Sequence, residues 1–268
     1  MLIAQITDTH ILQPGELAFG LIDTSARLAA CVVRLNALET PPDIVVATGD
    51  LVDSGSEREY RQLRRLLSPL KSPIYTIPGN HDSRANLRKV FGEDGYFPDQ
   101  SPFLQYTIED YPVRIVAIDT VIEGEAGGIV DEPRLEWLAA RLADGRTRPT
   151  VVIMHHPPFA TGIAHMDGMN CANADALARV IEKNPQVERI LCGHVHRAIQ
   201  ARFAGTVAMI GPSAAFQVAL DFAPGAPARW TDEPPGFALH YWRKETGLTS
   251  HICYVADPGP KRPFRNME

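Results

Sequence analysis

Cysteine is scarce: four residues in 268, with no C-x-x-C spacing, which argues against both a disulfide scaffold and a cysteine-based zinc knuckle. Cys31 and Cys192 sit in apolar runs, where a buried free thiol is the expected state. No apolar run reaches the ~20 residues of a membrane helix, so no membrane association is expected. Strand-like sequence from Leu2 leaves no room for a signal peptide, and the expected location is the cytoplasm. Blocks of like charge are absent, aromatics are only 7%, and 26 basic against 32 acidic residues leave a net charge of −6. That balance lacks the cationic, base-stacking groove of a nucleic-acid binder, so nucleic acid is not expected as the main substrate. Internal repeats and low-complexity tracts are also missing. What is plentiful is apolar side chain, 45% of the chain, enough to build a core.

The chain length suits one α/β domain with an insertion, or one large and one small domain. Strand-like runs alternate with helical patterns. Residues 23–38 place Leu28, Cys31, Val32, Leu35 and Leu38 at helical spacing behind Asp23 or Thr24 as N-cap. Ser56 and Glu59 form a potential capping box before Tyr60, Leu63, Leu66 and Leu67. A third helix is predicted near Asp131, with Pro133 in its first turn, and a fourth from Asn173 to Glu182. This alternation predicts a largely parallel sheet with helices on both faces. After Gln200 the pattern breaks. Residues 221–236 carry four prolines, and the flanking runs VAMIG and FALHYWR are expected to stand outside the parallel sheet as a hairpin or cap. The expected division is 1–199 for the catalytic domain, 200–245 for the cap, and 246–268 for a C-terminal return and irregular tail.

Five apolar runs end in residues that bind metals. They lead into Asp8-Thr9-His10, Gly49-Asp50, Gly79-Asn80-His81-Asp82, His155-His156-Pro157 and Gly193-His194-Val195-His196. Six of the nine histidines fall in these segments, a clustering that chance does not produce. A single aspartate or histidine at a strand end is more often a turn residue, but open α/β sheets gather their sites at strand ends, so five such ends can share one crevice. Asp, Asn and His without Cys suit Mn, Fe, Co or Zn. Asp8 and His10, two apart at a strand end, are expected on one side by the period of two. Asp50 has two carboxylate oxygens and is able to bridge two ions. Asp53, Asp82 and His156 are candidates for orienting ligands. Phe19 and His165 are loop residues that could border a pocket, while His240 and His251 read as ordinary surface or loop positions.

In order and spacing, these segments resemble the calcineurin-like metallophosphoesterase superfamily, with its motifs D-x-H, G-D, G-N-H-[DE], H-x-P and G-H-x-H. The likeness is greatest to its bacterial class III cyclic-nucleotide phosphodiesterase and glycerophosphodiesterase branch, and it extends into FGLID and HHPPF…MDGMNC. The resemblance implies an α/β fold of layered sheets flanked by helices, with a small C-terminal cap that aids dimerisation. It implies two divalent metal ions, Mn, Fe, Zn or Co, including mixed Fe/Mn or Fe/Zn pairs. One ion would be held by Asp8, His10, Asp50 and His196, the other by Asp50, Asn80, His155 and His194, with His81 facing the phosphate. A bridging hydroxide would attack phosphorus, and the site would keep roughly one net positive charge, matched to a phosphodiester monoanion. The protein Ser/Thr phosphatase branch continues its second motif as G-D-x-x-D-R-G, whose arginine clamps a monoester dianion. Here GDLVDSG puts Ser54 in that place, favouring diesters such as cyclic AMP or glycerophosphodiesters. A nuclease, a phosphomonoesterase and a non-catalytic metal-binding scaffold are the alternatives on the same fold.

Overall fold

The computed structural model describes residues 1–264. The first half of the chain forms β1 (Leu2–Ile6), α1 (Thr24–Asn36), β2 (Ile44–Thr48), α2 (Glu57–Leu67), β3 (Ile74–Ile77), α3 (Arg84–Phe91), β4 (Tyr106–Ile108), β5 (Arg114–Ala117), β6 (Gly128–Ile129) and α4 (Glu132–Asp144). Then come β7 (Thr150–Ile153), α5 (Ala164–Asp167), β8 (Cys171–Ala172), α6 (Ala174–Glu182), β9 (Val187–Cys192), β10 (Ile199–Phe203) and β11 (Thr206–Ile210). The chain continues through β12 (Gln217–Val218), β13 (Trp230–Thr231), β14 (Gly236–Arg243) and β15 (Gly247–Tyr254). Helix starts follow the local chemistry. The Asp23 carboxylate caps α1 by accepting from Ala26 N, and Ser56 with Glu59 forms the reciprocal box on α2. Asp131 caps α4, with Pro133 in its first turn.

The strands make two main sheets, ordered β15-β14-β1-β2-β3 and β10-β11-β9-β7-β5-β4. Alternate residues of the second sheet show how the layers stack. Ile115, Val151, Ile153, Leu191 and Met209 join the core shared with the first sheet and helices α1 and α2. Their neighbours Val116, Val152, Ile190 and Ala208 pack with Leu138 and Leu142 of α4 and Leu177 and Ile181 of α6. The layers therefore run helix, sheet, sheet, helix. The expected single sheet with helices on both faces is replaced by two facing sheets, because a strand covered by a helix and one covered by another sheet read alike when both faces are apolar.

The strands flanking the proline-rich stretch also differ from expectation. β11 pairs parallel with β9, and β14 pairs antiparallel with β1, covering the edge that the first strand would otherwise expose. Between β11 and β14, the chain carries only the two-residue β12–β13 ladder. Beyond β15 the chain is without regular structure through residue 264; residues 265–268 of the expected tail lie outside the described residues.

Candidate metal centre

The five motif segments follow β1, β2, β3, β7 and β9, three strands from one sheet and two from the other, so the candidate site lies where the sheets meet. Backbone bonds knit the loops together: Asp8 N donates to Gly49 O, His10 N to Asp50 O, and Gly193 N to His155 O. The motif glycines are required by closeness. A Cβ on Gly49 would collide with the His155 ring, and one on Gly193 with Thr7. Asp8, His10, Asp50, His194 and His196 all have positive φ, between 41° and 74°, and make up most of the positive-φ non-glycine residues among those described. Such conformations cost on the order of 1–3 kcal/mol each and persist where surrounding structure enforces them, typically at functional sites. β1 ends at Ile6, so left-handed turns, not the strand period of two, bring Asp8 and His10 into one group.

Two donor groups result. Asp8, His10, Asp50 and His196 bring one ligand atom each to within 4.8 Å of one another, as do His155, His156 and His194. The Asn80 amide oxygen stands 3.1 Å from His155 Nε2 and 3.0 Å from His194 Nδ1. Asp50 lies between the groups: its Oδ2 is 3.4 Å from His155 Nε2 and 3.7 Å from His10 Nε2. Carbonyl oxygens set the ring orientations. His155 Nδ1 is 2.8 Å from Thr48 O and His196 Nδ1 is 2.9 Å from Phe216 O, so each Nδ1 donates to its carbonyl and each Nε2 faces the centre.

Burial opposes ionisation of Asp50, yet His155 and then His10 hold its carboxyl well below the usual carboxylate range. Burial likewise opposes charge on His155, but Asp50 outweighs it and carries the imidazole up to about 9. Burial, followed by the charge of His155, pushes His194 down to about 3, and burial pushes His196 down to about 4. Asp50 ionised and His194 and His196 neutral are the forms that bind metal, and His155 would give up its extra proton to bind one. Asp8 Oδ2 is buried without a hydrogen-bond partner, the pattern expected of an oxygen meant for an ion. The donor set fits divalent metals.

Around this centre, His156 is buried with both nitrogens engaged, Nδ1 2.8 Å from Thr120 Oγ1 and Nε2 3.2 Å from Ala126 O. Asp82 accepts from Gly79 N, Leu51 N and Tyr60 Oη, which holds the loop carrying Asn80 and His81; burial and the charge of Asp50 push its carboxyl up to about 6. Asp53 Oδ1 is 3.3 Å from His10 Nδ1 without hydrogen-bond geometry, and its carbonyl accepts from His81 Nδ1 at 2.7 Å. His81 is exposed and borders a cavity of about 570 Å³ above His10, Asp50, Asn80, His194 and His196. Phe19 and His165 line the same cavity. His251 is exposed as expected, but His240 is not a surface residue: it is fully buried, between Ser250 Oγ and Gln5 Oε1. Gln5 in turn donates to Thr48 Oγ1 and to Cys192 O, joining the two sheets below the site. Sequence reasoning missed Phe216, Arg229 and Trp230, which also line the cavity. No local signal marks them, because they reach it only through the β12–β13 ladder.

The sequence model for the calcineurin-like phosphoesterase family matches residues 1–198, which include every motif residue above. A probable glycerophosphodiester phosphodiesterase GpdQ of Arcobacter nitrofigilis is 38% identical over 267 residues, covering 99% of this chain and 97% of that protein. A probable cyclic nucleotide phosphodiesterase of Rhodopseudomonas palustris is 34% identical, covering 95% and 93%. Among solved structures, a dimetal phosphatase from Danio rerio shares the fold at 16% identity, with TM-score 0.69 over 96% of this chain and 99% of that one. With the ordered motifs joined in one crevice and the family's sequence pattern matched over most of its length, this chain belongs to the calcineurin-like phosphoesterases.

Proposed function

We propose that the protein is a binuclear-metal phosphodiesterase acting on small phosphodiesters, 3′,5′-cyclic nucleotides or glycerophosphodiesters. The observation that carries this reading is the position of Asp50, one carboxylate within 4 Å of an imidazole from each donor group. In this assignment Asp8, His10, Asp50 and His196 hold one ion, and Asp50, Asn80, His155 and His194 the other; Mn, Fe, Zn or Co suit both sets. When bound, the ions supply Lewis-acid charge and lower the pKa of the water that attacks phosphorus. The chain supplies positioning and a proton. His81 N donates to Asp50 Oδ1, fixing the loop, and the His81 Nδ1 proton is committed to the Asp53 carbonyl. That leaves Nε2 to bind a phosphoryl oxygen or, when protonated, to serve as acid to the leaving alkoxide. Ser54, in place of a phosphate-clamping arginine, is occupied by Glu59, which supports diester over monoester specificity.

The test is a substrate panel with Mn-reconstituted protein: cyclic AMP, cyclic GMP, glycerophosphoethanolamine, glycerophosphocholine, bis(p-nitrophenyl) phosphate and a monoester. Turnover of diesters with about two ions per chain supports the reading. Monoester turnover alone would reassign it as a phosphomonoesterase, and metal binding without turnover of anything would make it a scaffold. Two further parts of the proposal rest on composition and surface. Four free cysteines suit a reducing compartment such as the cytoplasm, and no described helix is long and apolar enough to cross a membrane. Self-association, with the segment before β14 as an accessory cap, is supported by β15, an outer strand that exposes Ile252 and Tyr254. A strict monomer in light scattering at micromolar concentration would refute that association.

A further inference from the structure

One wall of the cavity has a chemistry that the metal centre does not use. Phe216 starts it, with its ring 5.4 Å from that of His10 and 4.8 Å from that of His196. Phe19 continues it, meeting Phe216 edge-on at 4.9 Å and stacking on Trp230 at 4.9 Å with 10° between the planes. Three rings thus run outward from two candidate metal ligands. Met166, Met169 and Val218 complete the apolar lining.

Phe19 is the informative member. The residue is 56% exposed, and its backbone has φ 54° immediately before Gly20 at φ 69°. Asparagine or glycine would suit that turn with less strain. Core burial does not offset the strain of an aromatic held there, since the residue is exposed. Strain of this kind argues for a role at the site it faces. A small polyhydroxy alcohol would find few hydroxyl partners on a wall of Phe, Trp, Met and Val, whereas a flat ring would bury its faces there.

Building on the phosphodiesterase reading, we propose that Phe19, Phe216 and Trp230 form an aromatic subsite for a planar ring system carried on the phosphodiester. Diesters bearing an aryl group or a nucleobase are then preferred over diesters of small polyhydroxy alcohols, and Phe19 and Trp230 determine that specificity.

The test compares Trp230→Ala and Phe19→Ala with wild type on cyclic AMP and glycerophosphoethanolamine. Loss of a stacking surface should lower kcat/KM for cyclic AMP by roughly 5- to 100-fold, mainly through KM, with a several-fold smaller loss for glycerophosphoethanolamine. Equal losses on both substrates, or none on cyclic AMP, would overturn the subsite. Because Trp230 lies in β13, Trp230→Leu with circular dichroism serves as the second variant. A binding readout separates this inference from the catalytic reading. Adenosine 5′-monophosphate should quench tryptophan fluorescence in wild type and not in Trp230→Phe, while glycerol 3-phosphate should quench neither. Quenching by the nucleotide in a protein that hydrolyses no diester would uphold the subsite and defeat the phosphodiesterase reading; no quenching at millimolar nucleotide would defeat the subsite.

Discussion

Replacing Asp50 by asparagine keeps the side-chain shape and removes the one carboxylate close to both donor groups. Two consequences follow. The first concerns metal: with the shared negative charge gone, at least one ion should be lost on desalting, and turnover with it. The second is visible without metal. The Asp50 carboxylate is what lifts His155 to about 9 against the opposing effect of burial. With a neutral amide there, burial prevails, and His155 should titrate below its ordinary 6.5. That fall corresponds to roughly 3 kcal/mol of lost interaction between the charged forms. Histidine NMR titration of metal-free wild type and Asp50→Asn reads the second effect; elemental analysis and diester turnover read the first. Two tightly held ions with wild-type rate in Asp50→Asn would refute the bridging assignment, and an unmoved His155 titration would refute the electrostatic reasoning.

His81→Ala should leave metal content intact and lower kcat by roughly 10²–10⁴, with a smaller loss for p-nitrophenyl leaving groups, which need little protonation. An equal loss for good and poor leaving groups would make His81 a phosphate binder instead of an acid. Chelation should lower Tm by about 8–15 °C if the ions are held at a thousandfold excess over Kd, since the buried donors then lose their partner; a Tm indifferent to chelator would count against a metal site in the core. His240 tests the fold at a distance from the centre. Burial pushes it down to about 3, below its ordinary 6.5, so its contribution to stability is fully present above 6.5 and is lost as pH falls from 6.5 towards 3. His240→Gln should therefore flatten the acid-side loss of stability, by up to a few kcal/mol, and an unchanged acid unfolding profile would refute that assignment.

Much of the site is written locally. A glycine before Asp50 or His194 and an apolar run before each motif segment are demands of the backbone, since only glycine fits against His155 or Thr7 there and only strand ends deliver loops to one crevice. Helix starts are local for the same reason: Asp23, Ser56 and Asp131 cap through atoms within three residues. Sheet membership is different. An apolar strand records that both its faces are covered, not what covers them, so the division into two facing sheets emerges only when residues far apart in sequence pack. Pairing of β14 with β1 joins Leu2 to Tyr241 and Gln5 to Ala238, and no local pattern encodes a partner so distant. The same distance hides the cavity wall. Trp230 and Phe19 lie more than two hundred residues apart, and their stacking, like the burial of His240 against Gln5, is decided by tertiary structure alone. Sequence by itself thus determined which side chains are candidates for the site, because motif identity and turn geometry are local; tertiary structure decided what surrounds them, because packing partners are not.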